Sequence, residues 1–309
     1  MTEKKSVLIF GAGGFVGPYL IREFLESGYS VAASDTKLPV SPVPGVQYGV
    51  ADLLQAADVE RTVRGAKPDF VVNLAAISSV GLSWKIPQKT VEVNVVGTLH
   101  LIEAVHALAP AARVLLVGSS EEYAKKKAPL REEDPIAANN PYGISKIAQE
   151  NFASLYREKY GMQIICTRSF NHTGVGQTAQ FVIPSFCMQA AAIDKSGKPG
   201  VISVGNLSAV RDISDVRDIV HVYRMLLENP SPRVVFNVGS GVAYKIEDLL
   251  HYILSLASVP IRVEIDPEKL RPIDNPYHVC DNTRIREFWK GTDLHETIRG
   301  IFNHYRNEI

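Results

Sequence analysis

The stretch VLIFGAGGFVG, residues 7–17, places a short apolar run directly before a glycine-rich turn. The run Val7–Phe10 predicts a buried β-strand, and the spacing of apolar residues in Phe15–Ser27 predicts a helix after the turn. Residues without a Cβ allow a tight turn and a close approach of pyrophosphate to the backbone, while the helix N-terminus supplies amides and a positive dipole. We therefore predict a dinucleotide site that includes Gly11, Gly13, Gly14, Phe15, Val16 and Gly17.

Apolar runs of strand length alternate with helical segments through the first half of the chain. The runs are Ser30–Ser34, Phe70–Leu74, Arg113–Val117 and Gln163–Thr167, and the helical segments are Gln55–Arg64, Thr90–Leu108 and Tyr142–Tyr160. This alternation indicates an α/β fold, a doubly wound parallel sheet of Rossmann type with right-handed crossovers. We predict a dinucleotide-binding domain over residues 1–170, completed by part of 201–240, and a smaller C-terminal substrate-binding lobe over 171–309.

Composition excludes several classes of function. The 309 residues contain 33 Lys+Arg and 33 Asp+Glu, so no net charge attracts nucleic acid or an anionic membrane. No unbroken run of about 18 apolar residues suggests a membrane span. The three cysteines are far apart and are expected to be packed, reduced thiols, with no metal-binding cluster. We therefore expect a cytoplasmic protein that binds neither metal, nucleic acid nor membrane.

Asp35 ends the second predicted strand and suggests which dinucleotide binds. A carboxylate at this point can accept hydrogen bonds from the adenosine ribose and repels a 2′-phosphate, which favours NAD(H). Lys37 lies two residues further on, so NADP(H) stays possible, and a turn or helix-capping acid is the alternative for Asp35. The ends of the next two strands add further candidate cofactor contacts, which are Asp52, Leu53, Leu74, Ala75 and Ala76.

Tyr142 and Lys146 lie four residues apart in a helical segment and therefore on one face of it. A tyrosine hydroxyl titrates near pH 10, and a neighbouring lysine cation is expected to lower that pKa by favouring the phenolate. Ser119 and Ser120 follow a predicted strand at the sheet edge where active groups of α/β proteins gather. A serine hydroxyl there could hydrogen-bond a substrate oxygen while Tyr142 exchanges a proton. The alternatives are a chance Tyr/Lys pair and a serine-rich helix cap.

The chain resembles the extended short-chain dehydrogenases/reductases that modify nucleotide sugars. The matching motifs run in the family's order and are GAGGFVG (11–17), NLAA (73–76), NVVGT (94–98), SSEEY (119–123), PYGISK (141–146) and RSFN (168–171). The resemblance selects Ser119 as the catalytic hydroxyl, with Ser120 as its substitute, and adds Asn94 and His172 as cofactor contacts. It also implies a homodimer whose interface is a four-helix bundle of Thr90–Leu108 and Tyr142–Tyr160.

A second set of motifs resembles the members of this family that act on GDP-sugars. These motifs are RSFNHTG (168–174), FVIP (181–184), VRDISDV (210–216) and LRPID (270–274). Two arginines on separate loops can close over a diphosphate through charge-assisted hydrogen bonds. The implied substrate contacts are Ser120, Glu121, Asn171, Phe181, Val182, Arg211, Arg271 and Asp274. Surface ion pairs of Arg211 with Asp212 or Asp215, and of Arg271 with Asp274, are the alternative.

The resemblance implies three candidate reactions. A 4-ketoreductase would use Tyr142 as acid, whereas a 4,6-dehydratase needs a further carboxylate, which Glu121 would supply. An epimerase-reductase would need a cysteine where Glu121 stands. Asp35 replaces the basic residues with which the dehydratases grip NADP, and the chain is short for that group. We therefore expect NAD(P)H-dependent reduction of GDP-4-dehydro-6-deoxy-D-mannose to GDP-D-rhamnose. Outside this class, the alternative is a nicotinamide-binding sensor or scaffold without turnover.

Overall fold

The computed structural model describes residues 4–269 and 275–308. In chain order, its strands are β1 (Ser6–Phe10), β2 (Ser30–Asp35), β3 (Val46–Val50), β4 (Phe70–Asn73), β5 (Arg113–Ser119), β6 (Ile164–Ser169), β7 (Asn171–Thr173), β8 (Gly200–Val204), β9 (Val210–Arg211), β10 (Ile213–Asp215), β11 (Val235–Val238), β12 (Tyr244–Lys245), β13 (Ile261–Ile265) and β14 (Tyr277–His278). The helices are α1 (Gly17–Glu26), α2 (Ala56–Ala66), α3 (Val80–Lys85), α4 (Pro87–Val91), α5 (Gly97–Leu108), α6 (Pro141–Tyr160), α7 (Val182–Ser196), α8 (Val216–Glu228), α9 (Ile246–Ser255) and α10 (Leu294–Glu308).

The central sheet has seven parallel strands in the order β11-β6-β5-β4-β1-β2-β3. The predicted fold class is confirmed, since helices connect most of the successive strands and cover both faces of the sheet. β11 pairs with β6 at one edge, so a strand from the second half of the chain extends the sheet. The carboxyl ends of β1, β4 and β5 are neighbours, which brings the segments that follow these strands to one edge. The division into two domains stays a prediction.

Successive residues of β1 are buried on opposite faces of the sheet. Val7 and Ile9 pack in the cluster that includes residues of α1 and α8, while Leu8 and Phe10 pack with residues of α2 and α5. Because both faces are covered, the strand is apolar at every position instead of at alternate ones. Burial of each such side chain contributes about 1.5–3 kcal/mol relative to leaving it in water.

A third hydrophobic cluster lies in the C-terminal half. Helices α7, α9 and α10 contribute to it together with residues of β8, which pairs in parallel with β13. Three short strands (β12, β9 and β14) form a separate small sheet, and β10 pairs with β7. These short strands carry two of the residues that the sequence assigns to substrate binding, Asn171 on β7 and Arg211 on β9.

The predicted helix Thr90–Leu108 is longer and less regular than its sequence suggests. α4 and α5 are joined by a π-helical turn, Glu92–Val96, into one helix that spans Pro87–Leu108. By length and composition alone this helix could cross a membrane, although polar residues interrupt its apolar ones. It packs against α2 and α6, as a core helix of a folded domain does.

Candidate active site

The glycine turn passes close to the segment that follows β4. Gly11 has a positive φ of 75°, and a Cβ at this position would collide with the backbone nitrogen of Ala75. A Cβ on Gly17 would collide with the carbonyl oxygen of Ala12. These two positions therefore require glycine, the first for its backbone conformation and the close approach, and the second for packing of α1. Helix α1 begins at Gly17 because the preceding residues form the turn.

The exposed part of the turn lies beside the end of β2. Asp35 accepts a hydrogen bond on Oδ2 from the Gly13 N–H at 2.9 Å and one on Oδ1 from the Thr36 N–H at 2.7 Å. A Cβ on Gly13 would stand 3.1 Å from the same Oδ2. Residues 14–16 lead from this point into the N-terminus of α1. The structure thus brings the predicted turn and the predicted acid together.

The other candidate cofactor residues follow β3 and β4. The Asp52 carboxylate accepts the Leu54 N–H at 2.9 Å, and the side chain of Leu53 is buried. Residues 74–76 are half-buried, and the Ala75 N–H donates to Asn73 Oδ1 at 3.1 Å. These bonds hold both segments in a defined conformation near the glycine turn.

Asn94 lies fully buried in the π-helical turn, and its side chain bonds to other parts of the chain. Its Oδ1 accepts the Ile77 N–H at 2.8 Å, and its Nδ2 donates to the Ile77 carbonyl at 3.1 Å and to Ser145 Oγ at 2.9 Å. The side chain therefore fastens the segment after β4 to α6. A direct contact between Asn94 and a cofactor stays a prediction, to which the structure adds this positioning role.

Ser119, Tyr142 and Lys146 are all buried between the end of β5 and the start of α6. Asn140 caps α6 by accepting the Gly143 N–H on Oδ1 at 2.8 Å, and Pro141 occupies the first helical position. This start places Tyr142 in the first turn, close enough to Ser119 for the serine hydroxyl to influence the pKa of the phenol. The structure therefore brings the predicted catalytic hydroxyl and phenol together.

The ammonium group of Lys146 is held beneath the phenol. Its Nζ donates to the Val117 carbonyl at 2.7 Å and to Gln149 Oε1 at 3.1 Å, and it lies 6.0 Å from the centre of the Tyr142 ring. Burial lowers the pKa of Lys146 to about 8, although the nearby Glu122 carboxylate opposes that shift. A lysine in this state is still mostly protonated at neutral pH.

The expected lowering of the Tyr142 pKa is wrong for the protein alone. Burial raises the pKa of Tyr142, because a buried phenolate loses its hydration, and the Ser119 hydroxyl only partly offsets this effect. The negative charge of Glu121, and that of Glu122 when it is ionised, raise it further. Tyr142 is therefore a protonated phenol at neutral pH, which is the form of a proton donor.

Glu121 lies at the junction between the loop and α6. Its Oε2 accepts a hydrogen bond from Asn140 Nδ2 at 3.0 Å, and its carbonyl would stand 2.5 Å from a Cβ on Gly143. Ser120 is buried, and its carbonyl accepts the Tyr123 N–H at 3.2 Å. The Glu121 carboxylate thus lies near Tyr142 but is bonded to the helix cap.

His172 links the glycine turn to the segment that follows β6. Its ring stacks on Phe15 with centroids 6.2 Å apart and planes 11° from parallel, and its Nδ1 lies 3.0 Å from the Phe170 carbonyl oxygen. Burial lowers the pKa of His172, so the ring is neutral at physiological pH. Asn171, at the start of β7, is exposed. The position of His172 is compatible both with the predicted cofactor contact and with a role as a hydrogen-bonded loop histidine.

The remaining substrate-side candidates lie on elements of the C-terminal half. Phe181 and Val182 are exposed at the start of α7, and Arg211 is half-buried on β9, where its Nη1 donates to the Val210 carbonyl at 2.9 Å. Arg271 and Asp274 lie outside the described residues. These positions come from three separate segments, so only the tertiary structure relates them to the sheet edge.

The acids proposed as alternative partners of Arg211 have other roles. Asp212 is buried and accepts hydrogen bonds from Ser240, including one from its hydroxyl at 2.6 Å. Asp215 caps α8 and forms an ion pair with Arg217 at 2.8 Å. Each acid therefore has its own structural bonds within the C-terminal half.

Glu122 is a buried acid that the sequence analysis missed. It forms a capping box with Ser119 around the 3₁₀ turn Ser120–Glu122, in which its side chain accepts the Ser119 N–H at 2.8 Å. The spacing S-x-x-E is the sequence signal that could have identified it. Within residues 4–269 and 275–308, no group of three or more metal-ligating side chains occurs.

The fold and the site together define an extended short-chain dehydrogenase/reductase, with a glycine turn at β1, an acid at β2 and a Ser/Tyr/Lys group between β5 and α6. The chain belongs to the GDP-mannose 4,6 dehydratase family, whose model matches residues 8–299. The match to this family confirms the resemblance inferred from the motifs.

Two curated relatives represent two different reactions. GDP-6-deoxy-D-mannose reductase from Pseudomonas aeruginosa is 28% identical over 315 residues, which cover 100% of this chain and 99% of the relative. GDP-mannose 4,6-dehydratase from Vibrio cholerae is 30% identical over 268 residues, which cover 81% of this chain and 71% of the relative. Among solved structures, RMD from Pseudomonas aeruginosa complexed with NADPH superimposes with a TM-score of 0.87 at 26% identity and 99% coverage of both chains.

Proposed function

We propose that this protein reduces the C4 ketone of GDP-4-dehydro-6-deoxy-D-mannose to give GDP-D-rhamnose, with NAD(P)H as the reductant. The observation that carries the proposal is the convergence of Ser119, Tyr142 and Lys146 at the edge beside the glycine turn. The similarity to a GDP-6-deoxy-D-mannose reductase over the whole chain supports the choice of substrate.

A nicotinamide dinucleotide fits the residues at this edge. Gly13 and Gly14 leave the turn without side chains that would block the approach of a pyrophosphate, and the N-terminus of α1 follows the turn directly. Asp35 is held beside the turn, where its carboxylate could accept ribose hydroxyls. The bound nicotinamide would supply the hydride that reduces C4.

Tyr142 acts as the acid of the proposed reaction. Its phenol donates a proton to the C4 oxygen as that oxygen gains negative charge, so that the ketone becomes a secondary alcohol. The Ser119 hydroxyl donates a hydrogen bond to the same oxygen and keeps it in place. Lys146, protonated and held by the Val117 carbonyl, stabilises the phenolate that remains. Solvent then returns a proton to Tyr142.

Most of the proposed substrate contacts lie on the C-terminal half, and Ser120 and Glu121 follow β5. Arg211 would pair with the diphosphate, together with Arg271, and Asn171 would hydrogen-bond a phosphate oxygen. Ser120, Glu121, Phe181 and Val182 are the candidate contacts of the sugar, and Asp274 would accept donors of the ribose or guanine. A diphosphate carries the charge that these arginines complement.

Asp35 supports NAD(H) as the preferred cofactor. A 2′-phosphate beside this carboxylate would meet a like charge, and each oxygen of Asp35 already accepts a backbone N–H. The similar RMD structure is complexed with NADPH, so NADP(H) stays the alternative cofactor. The preference is therefore a separate proposal from the reaction.

The dehydratase reaction is the second candidate. The position of Glu121 two residues after Ser119 favours it, as does the similarity to GDP-mannose 4,6-dehydratases. In that reaction C4 of GDP-mannose would first be oxidised to a ketone, and Glu121 would then abstract the C5 proton beside that ketone as water leaves from C6. For this role, either the hydrogen bond from Asn140 would have to break, or the carboxylate oxygen that Asn140 does not contact would have to face the sugar.

We also propose a cytoplasmic homodimer that forms through the helix Pro87–Leu108 and α6. Both helices carry exposed apolar side chains, among them Val91 and Val96 on the first and Ile144 and Leu155 on α6. A Leu155→Glu substitution is expected to convert the dimer to a monomer in sedimentation-velocity measurements at micromolar concentration. A wild-type protein that sediments as a monomer under those conditions contradicts the proposal.

The test of the reaction supplies the purified protein with each candidate substrate separately. Oxidation of NADH or NADPH with GDP-4-dehydro-6-deoxy-D-mannose, but no conversion of GDP-mannose, supports the reductase. Conversion of GDP-mannose without added cofactor supports the dehydratase. Nucleotide binding with neither reaction indicates a sensor or scaffold.

A further inference from the structure

Glu122 lies directly behind the catalytic group and has no part in the proposed proton transfer. It is 0% exposed, and its Oε1 accepts the Ser119 N–H at 2.8 Å. Its Oε2 is buried and, among the described residues, has no hydrogen-bond partner. An ionised carboxylate in such a place loses hydration without full compensation, so this environment favours the protonated acid.

The cation closest to this carboxyl group is already neutralised by a second acid. Arg168 Nε lies 3.7 Å from Glu122 Oε2, but the guanidinium forms two hydrogen bonds with Glu150, at 2.6 and 3.0 Å. Two acids therefore compete for one arginine. Around Glu122 the titratable and charged groups are Tyr142, Lys146 and Glu150 from α6 and Cys166 and Arg168 from β6.

The local backbone is adapted to this buried acid. A Cβ on Gly118 would stand 2.7 Å from Glu122 Oε1, so glycine at this position leaves the space that the carboxyl group occupies. In a capping box the glutamate side chain reaches back to the backbone N–H of the N-cap residue. Here the same motif holds the acid inside the protein, next to Lys146.

We propose that Glu122 is a positioning residue that carries a proton beside Tyr142 and Lys146 and thereby sets the charge state in which that pair works. The proposal rests on the proposed function, in which Tyr142 donates a proton. Neutral Glu122 leaves the Lys146 charge to stabilise the phenolate, whereas ionised Glu122 repels it. Burial raises the pKa of Glu122 to about 8. The negative charge of ionised Glu122 raises the pKa of Tyr142, which agrees with a phenolate that is less stable beside the ionised acid.

The first test is the pH dependence of kcat/KM for reduction. Loss of a proton from either Glu122 or Lys146 lowers the rate, so the activity falls as the pH rises, with an apparent pKa that belongs to the pair. Glu122→Gln keeps the acceptor for Ser119 but removes one of the two ionisations, so the alkaline limb moves upward by about 0.3 to 1 pH unit. Glu158→Gln, an exposed acid on α6, is the matched control and should keep the wild-type limb.

The second test needs no substrate. An acid with a higher pKa in the folded than in the unfolded protein makes the folded state less stable as the pH rises between the two values. As the pH rises from 5 to 7.5, the melting temperature of the wild type should therefore fall relative to that of Glu122→Gln. Lys146, whose pKa is about 8 in the folded protein, is mostly protonated in both states over most of this window and contributes only near its upper end.

The two tests separate the possible failures. If the melting temperatures of the wild type and Glu122→Gln change in parallel with pH, Glu122 is not a protonated acid. If the alkaline limb of kcat/KM is the same in both proteins, Glu122 has no influence on Tyr142. If the wild type lacks turnover, the proposed function fails, while the melting curves still decide the protonation of Glu122. Glu122→Ala, which removes the Ser119 anchor as well as the ionisable group, is expected to lower kcat about tenfold at every pH, while its alkaline limb moves upward as in Glu122→Gln.

Discussion

The two sides of the candidate site differ in how the protein treats its polar groups. On the catalytic side, Ser119, Tyr142 and Lys146 are buried and bonded to neighbouring elements. On the substrate side, Phe181 and Val182 are exposed, and Arg211 is half-buried on a two-residue strand. The first group is therefore held by the core of the sheet, and the second by shorter elements at the surface.

This difference separates reactivity from affinity. Burial shifts the pKa of Tyr142 upward and that of Lys146 downward, so the fold itself changes the chemistry of these groups. A surface guanidinium keeps its charge and acts mainly through the attraction that it offers an anion. Substitutions on the catalytic side should change kcat, and substitutions on the substrate side should change KM.

The largest effect is expected for Tyr142→Phe on the catalytic side. Phenylalanine keeps the ring and its packing but removes the proton donor, so kcat should fall by about 10³-fold. Initial rates of NAD(P)H oxidation measure the loss, and titration of the intrinsic fluorescence checks that the cofactor still binds with near wild-type affinity. Retention of the wild-type rate would remove Tyr142 from its role as the acid.

A smaller effect is expected for Arg211→Ala on the substrate side. Loss of a charge-assisted contact to a diphosphate should raise KM for the GDP-sugar by about 10- to 50-fold and leave kcat within about twofold. Arg217→Ala is the matched control, because Arg217 is a neighbouring arginine that pairs with Asp215. A fall in kcat without a change in KM would place Arg211 among the groups that affect reactivity and break the comparison.

The smallest effect concerns the choice of cofactor. Asp35→Ser removes the charge that would repel a 2′-phosphate and should change the NADH/NADPH ratio of kcat/KM by about tenfold in favour of NADPH. Steady-state rates with each cofactor at saturating GDP-sugar give this ratio. An unaltered ratio would show that Asp35 serves only the turn, through its bonds to Gly13 and Thr36.

Local patterns account for the parts of the site that lie close together along the chain. The glycine turn follows its strand within a few residues, and the four-residue spacing of Tyr142 and Lys146 places both on one helical face. The carboxyl end of β5 brings Ser119 to the same edge because parallel strands end together there. Such features depend on backbone geometry, which short segments determine.

The sequence by itself determined the doubly wound sheet, the turn at Gly11 and the membership of Ser119, Tyr142 and Lys146 in one site. Only the tertiary structure decided the direction of the Tyr142 pKa shift, the attachment of Asn94 to Ile77 and the burial of Glu122. The reason is physical. Patterns of apolar residues specify which segments form strands and helices, whereas desolvation depends on every chain segment that packs around a group, however distant in sequence.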